Sequence, residues 1–188
     1  LPVAAPTEYW DVRFTLDQQC SLGDACEQLD AKLSESIRLR MISEVPLGAF
    51  LSGGVDSSAV VALMAGLSAE PVNTCSIAFA DPAFNESSFA QKVADRYRTN
   101  HHCDLVGSDD FDLIDTLARL YDEPYADSSA IPTYRDCKLA RKHVTVALSG
   151  DGGDETFGGY HRYREHLMED RLRAAVPYGV RRPLFGLL

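Results

Sequence analysis

Apolar positions along this chain change their period several times, and each change marks an element. From Asp24, the expected N-cap, Ala25, Leu29, Leu33, Ile37 and Met41 recur every fourth residue. That spacing predicts a helix to about residue 43 with one apolar stripe, its other face wetted by Lys32, Glu35, Arg38 and Arg40. After Pro46 the run Leu47-Gly48-Ala49-Phe50-Leu51 predicts a strand, and residues 59–65 (AVVALMA), apolar all round, predict a buried helix. The alternation then repeats. Residues 72–79 read as a strand, and 87–97 as a helix with Phe89, Ala90, Val93, Ala94 and Tyr97 inward. Residues 101–106 make a short strand, and Phe111, Ile114, Leu117, Ala118 and Tyr121 mark a helix. Residues 131–142 form another helix that tolerates Pro132 in its first turn, and 144–148 form a β-branched buried strand. This order predicts an α/β fold with a doubly wound, mostly parallel sheet and helices on both faces.

Two glycine-rich loops follow strands in that scheme, Ser52-Gly53-Gly54-Val55-Asp56-Ser57-Ser58 and Ser149-Gly150-Asp151-Gly152-Gly153-Asp154-Glu155, the second continuing to Gly158-Gly159. Together they hold seven of the thirteen glycines. Glycine lets backbone N–H groups close on a ligand and permits positive φ, which builds an anion-binding nest. The first loop opens into a helix N-terminus, where free N–H groups and the helix dipole favour phosphate. Asp56 inside such a site is repulsive to phosphate unless a cation lies between them, which implies Mg²⁺. Ligands in doubly wound sheets bind beyond the strands' carboxyl ends, so the two loops are expected to line one pocket. A Walker A loop is excluded because the chain contains no Gly-Lys pair, and neither G-x-G-x-x-G after the first strand nor G-x-S-x-G is present.

Composition narrows the partners. The chain has 188 residues, 45% hydrophobic, with 18 Lys+Arg against 28 Asp+Glu and a net charge of -10. That length suits one domain, and the acidic balance argues against nucleic-acid binding. No run approaches the length of a membrane span. Residues 161–188 alone are basic, with 6 basic and 3 acidic groups, as in a solvated helix or a surface that meets an anion. Five scattered cysteines without C-x-x-C read as reduced thiols of a cytoplasmic protein. His101 and His102 beside Cys103 and Asp104 alternate faces along a strand, which keeps them from converging on one metal ion. The opening residues, Leu1-Pro2-Val3-Ala4-Ala5-Pro6, read as an interdomain linker and not as a signal peptide.

The first loop resembles the pyrophosphate-binding PP-loop of the N-type ATP pyrophosphatases, which implies an adenine nucleotide α-hydrolase-like fold. The second loop, with Phe157-Gly158-Gly159-Tyr160, Asp122-Glu123-Pro124, Ser128-Ser129 and Pro132-Thr133-Tyr134, resembles the glutamine-dependent asparagine synthetase family. The resemblance implies a domain division of 1–22 as a linker from a glutaminase domain and 23–188 as a synthetase domain cut short at its C-terminus. It implies ATP and Mg²⁺, with aspartate or a similar carboxylate attacking the α-phosphorus to form an acyl-adenylate that ammonia from the glutaminase domain converts to the amide. By the same analogy Leu51, Ile77, Ser149 and Gly150 hold adenosine. Ser52, Gly53, Gly54, Asp56, Ser57 and Ser58 cradle pyrophosphate, Asp56 and Asp154 take the metal, and Asp151 organises adenylate formation. Asp151 stands where many asparagine synthetases carry Glu, and Thr156 where an aliphatic residue is usual. The resemblance leaves room for a homodimer. Other readings stay open, namely a β-lactam-forming or tRNA-thiolating PP-loop enzyme, or a non-catalytic module.

Overall fold

The computed structural model describes residues 7–13, 20–83, 85–106 and 113–175. Eleven elements follow in the order α1 (Leu22–Arg40), β1 (Leu47–Phe50), α2 (Val55–Leu67), β2 (Asn73–Phe79), α3 (Ser87–Tyr97), β3 (Asn100–Val106), α4 (Ile114–Leu120), α5 (Ala130–Ala140), β4 (Val146–Leu148), α6 (Gly153–Phe157) and α7 (His161–Ala175). The four strands form one wholly parallel sheet in the order β3-β2-β1-β4.

Period-2 alternation sends successive strand residues to opposite faces, and both faces are covered. On one, Ala49 and Leu51 join Ile37 of α1, Val61 and Met64 of α2 and Ala90 and Ala94 of α3. On the other, Cys75, Leu139, Ala140 and Val144 form a second cluster, with Phe50 and Ala147 packed against it. Helices on both faces of a parallel sheet are the doubly wound arrangement expected from the sequence. The chain runs outward from β1 through β2 to β3, then returns by way of α5 to place β4 on the other side of β1. The direction of winding therefore reverses between β1 and β4, where such folds open a crevice.

Several local expectations change. The N-cap of α1 is Ser21, whose Oγ accepts from the Asp24 N–H at 3.1 Å and donates to the Asp24 carboxylate at 2.7 Å. Asp24 is thus the cap's partner in the first turn. Phe89, expected inward, is exposed, because α3 meets the sheet through Ala90 and Ala94. Val144 is buried, but β4 is an edge strand only three residues long, and Val146 is 41% exposed. Helix α7 holds residues 161–175 of the basic stretch and has no buried residue, and residues 176–188 lie outside the described ones. Phe111 lies outside the described residues. His101 turns toward Thr74, its Nδ1 2.9 Å from the hydroxyl, and burial depresses its pKa, while His102 stacks on His143 with ring centroids 3.5 Å apart. The two histidines do leave β3 on opposite faces. Among the described residues no helix is long and apolar enough to cross a membrane.

Candidate active site

The first loop takes its shape from β1, which carries it, and α3, which supports it. The β1–β2 ladder continues one residue past the strand, with the Leu51 N–H donating to the Cys75 carbonyl at 2.9 Å. The chain then turns at Gly53, whose φ of +87° is left-handed. A Cβ there would lie 2.5 Å from the Ala90 nitrogen and 2.6 Å from the Phe89 Cβ, so only glycine lets the loop rest on the start of α3. Hydroxyls complete it. Ser52 Oγ accepts from the Gly54 N–H at 3.2 Å and lies 3.0 Å from Ser57 Oγ, which donates to the Gly54 carbonyl at 3.3 Å. Gly54 caps α2, whose first-turn N–H groups are left open as at any helix start.

The second loop closes over that helix start. A Cβ on Gly150 would meet the Ser57 nitrogen at 2.7 Å, and one on Gly153 would collide with the Asp56 carboxyl group. Glycine at these positions is therefore what allows the two loops to touch. The Ser149 hydroxyl donates to the Asp151 carboxylate at 3.0 Å, and the Tyr160 hydroxyl to Glu155 at 2.7 Å. That last bond holds Glu155 below the usual carboxylate range and pushes Tyr160 up to about 12.

Between the loops, at the switch point, lies a cleft of about 510 Å³. Nine of the twelve residues expected at the site line it: Leu51, Ser52, Asp56, Ser57, Ile77, Ser149, Gly150, Asp151 and Asp154. Gly53 and Gly54 shape the turn without lining the cleft, and Ser58 faces away, its Oγ buried without a partner. The sequence reading missed Cys75, Ser76, Glu86 and Asp136, which also line it. Cys75 is buried, and its thiol is pushed up to about 11 by that burial and by the negative charges of Asp136 and Asp104, so it is an inert wall residue. Asp136 had a legible signal. It precedes the buried Leu139 and Ala140 by three and four residues, which places it on the inward stripe of α5.

Electrostatics test the magnesium expectation. The described lining contains six carboxylates (Asp56, Glu86, Asp136, Asp151, Asp154, Glu155) and neither Lys nor Arg. A polyphosphate could not enter such a cleft without cations to offset the repulsion. Asp56 and Asp154 both line the cleft, and among the described residues no group of three or more metal-ligating side chains converges. One or two carboxylates, completed by phosphate oxygens and water, are the donor set Mg²⁺ takes beside a nucleotide, so the residues fit the ion.

Fold and site together define the class, an adenine nucleotide α-hydrolase-like α/β domain with its cleft at the switch point. The structure of NMN synthetase from Francisella tularensis shares that fold, with a TM-score of 0.50 and 12% identity over 71% of this chain and 58% of that one. The family described as asparagine synthase matches residues 28–186, and the chain belongs to it. It is 44% identical over 143 residues to the putative glutamine-hydrolyzing asparagine synthetase 2 of Methanocaldococcus jannaschii, covering 75% of this chain and 28% of that protein. It is 39% identical over 134 residues to the glutamine-hydrolyzing asparagine synthetase 1 of Bacillus subtilis, covering 71% of this chain and 21% of that protein. The chain thus spans about a quarter of the length of these relatives.

Proposed function

We propose that this domain activates a carboxylate, aspartate or a close analogue, by adenylation with ATP, as the synthetase part of a glutamine-hydrolysing asparagine synthase. The observation that carries the reading is the contact of the two glycine loops, which sets the Asp56 carboxyl group against Gly153 in a cleft at the switch point. In this reading the open N–H groups at the start of α2 and the hydroxyls of Ser52 and Ser57 hold the departing pyrophosphate, where charge grows as the bond to the α-phosphorus breaks. Leu51, Ile77, Ser149 and Gly150 hold adenosine, and Asp151, fixed by Ser149, orders the acyl-adenylate. Asp56 and Asp154 hold magnesium, which supplies charge neutralisation on the pyrophosphate oxygens. The amide nitrogen comes as ammonia from a glutaminase domain, and the cytoplasm supplies ATP and reduced thiols. A linker through residue 22 and a synthetase domain from 23 belong to the same reading.

The test is aspartate-dependent exchange of pyrophosphate into ATP by a polypeptide carrying this domain. Asp56→Asn should lower the exchange rate by about 10²–10³, the effect of losing one transition-state charge interaction, with an unchanged thermal midpoint. Near wild-type exchange by a stable Asp56→Asn protein would overturn the proposal.

A further inference from the structure

The acceptor of the proposed reaction sets an electrostatic problem that a cation on the phosphates does not solve. The described lining of the cleft holds six carboxylates and neither Lys nor Arg. A carboxylate that attacks the α-phosphorus gives up its charge in the mixed anhydride it forms. A second carboxylate on the same acceptor, as on aspartate, stays charged throughout. It calls for a fixed cation at the rim of the cleft.

Among the described cations, Arg162 stands on the wall of that cleft. It lies in the first turn of α7, exposed, with its guanidinium carbon 4.3 Å from the ring centroid of Tyr160, which lines the cleft, and 5.9 Å or less from a second ring, that of Tyr163, at 5.7 Å. The two rings are 5.7 Å apart and tilted by 57°, so they meet the guanidinium from two directions. Stacking occupies the face of a guanidinium and leaves its five N–H donors, which lie in its plane, for an acceptor. The neighbouring acid, Glu155, is engaged by the Tyr160 hydroxyl at 2.7 Å. That bond, with a further contribution from the Arg162 charge, holds Glu155 below the usual carboxylate range, so the guanidinium is within electrostatic reach of the cleft wall. Among the described residues no carboxylate lies within 4.0 Å of Arg162 to take its donors. The basic residues along and just after α5 belong elsewhere: Arg135, Lys138 and Lys142 line a separate cleft of about 240 Å³ against β3, where Lys142 pairs with Asp104 at 2.9 Å.

We infer that Arg162 receives the second carboxylate of the acceptor, making it a specificity residue for a dicarboxylate such as aspartate. The planar fork of a guanidinium matches a carboxylate through two parallel N–H···O bonds, a geometry that an ammonium group does not reproduce. Tyr160 and Tyr163 fix the plane of that fork beside the cleft, while the reacting end of the acceptor reaches toward the first loop. The inference rests on the adenylation reading and adds to it a requirement that the acceptor carry two carboxylates.

Pyrophosphate exchange by a polypeptide carrying this domain, driven by aspartate or by isoasparagine, tests it. Isoasparagine keeps the carboxyl group that reacts and replaces the other by an uncharged amide. Wild type should show a KM for aspartate about ten- to a hundredfold below that for isoasparagine, the range of one charge-assisted hydrogen bond. Arg162→Gln should raise the KM for aspartate to the value for isoasparagine and hold kcat within about twofold, the mark of a contact made equally in ground and transition states. Arg162→Lys, which keeps the charge and loses the fork, should recover part of the difference. Because α7 buries no side chain, the thermal midpoint of both variants should match wild type. An unchanged aspartate KM in Arg162→Gln, equal use of both acceptors by wild type, or an equal loss with both acceptors would overturn the role of Arg162 alone. Absence of carboxylate-dependent exchange in wild type would overturn the adenylation reading, and this inference with it.

Discussion

The two glycine loops are built from similar residues on unequal supports. Residues 52–58 bond among themselves, rest on α3 at Gly53, and open a helix whose Val61 and Met64 are 0% and 1% exposed. Residues 149–160 hang from the edge strand β4 and pass through α6, a five-residue helix with no buried side chain, and Gly152 turns in open space. Packing sets the first loop before any ligand arrives. Its own short hydrogen bonds hold the second, and Gly150 and Gly153 dock it onto the first. On the proposed function, a site divided in this way would fix where phosphate lies and still let its acids adjust to a cation and an acceptor.

Glycine-to-alanine changes sharpen that contrast. The largest effect belongs to Gly53→Ala, which combines a left-handed φ with a backbone collision at Ala90 and should cost about 3 kcal/mol or more, with loss of nucleotide binding. Denaturant melts and ATP titration check it, and a stable variant that binds normally would break the claim that packing sets this loop. Gly150→Ala keeps an ordinary φ but presses a methyl group onto the start of α2. It should cost about 1–3 kcal/mol and weaken nucleotide binding by parting the two loops. Gly152→Ala has a φ of +93° and no atom within 4 Å of the new Cβ, so only local strain of about 1 kcal/mol is expected. A Gly152 variant as damaged as Gly53→Ala would show the second loop to be as tightly held as the first.

The stretch from β1 to β3 was legible to within a residue or two except at the start of α2, expected at 59 and found at Val55, because strongly apolar β-α units carry both their period and their punctuation locally. Legibility failed where an outcome depended on a distant neighbour. Phe89 fits the helical stripe of α3, yet the sheet is reached by smaller side chains and the ring stays outside. The β-branched composition of residues 144–148 indicates burial, but an edge position decides that Val146 is exposed. Within the site, glycine spacing located the loops and Asp56, whereas the signal of Asp136 was fainter, its place three and four residues before Leu139 and Ala140 on the inward stripe of α5.

The register of β1 has a consequence for the order of assembly. On one side Ala49 pairs with Thr74, within a compact β-α-β unit, but on the other it pairs with Leu148, roughly a hundred residues along the chain, so closing that second pairing carries the larger loop entropy. During folding the β1-to-β3 half is expected to form first, complete with its glycine loop, and β4 to zip on afterwards. Only with that late step does Gly150 reach Ser57 and the acids of residues 151–155 reach the cleft. A folding intermediate would thus display the first loop bare before the acids of the second could join it, and on the proposed function competence for magnesium nucleotide would report the final docking of one three-residue strand.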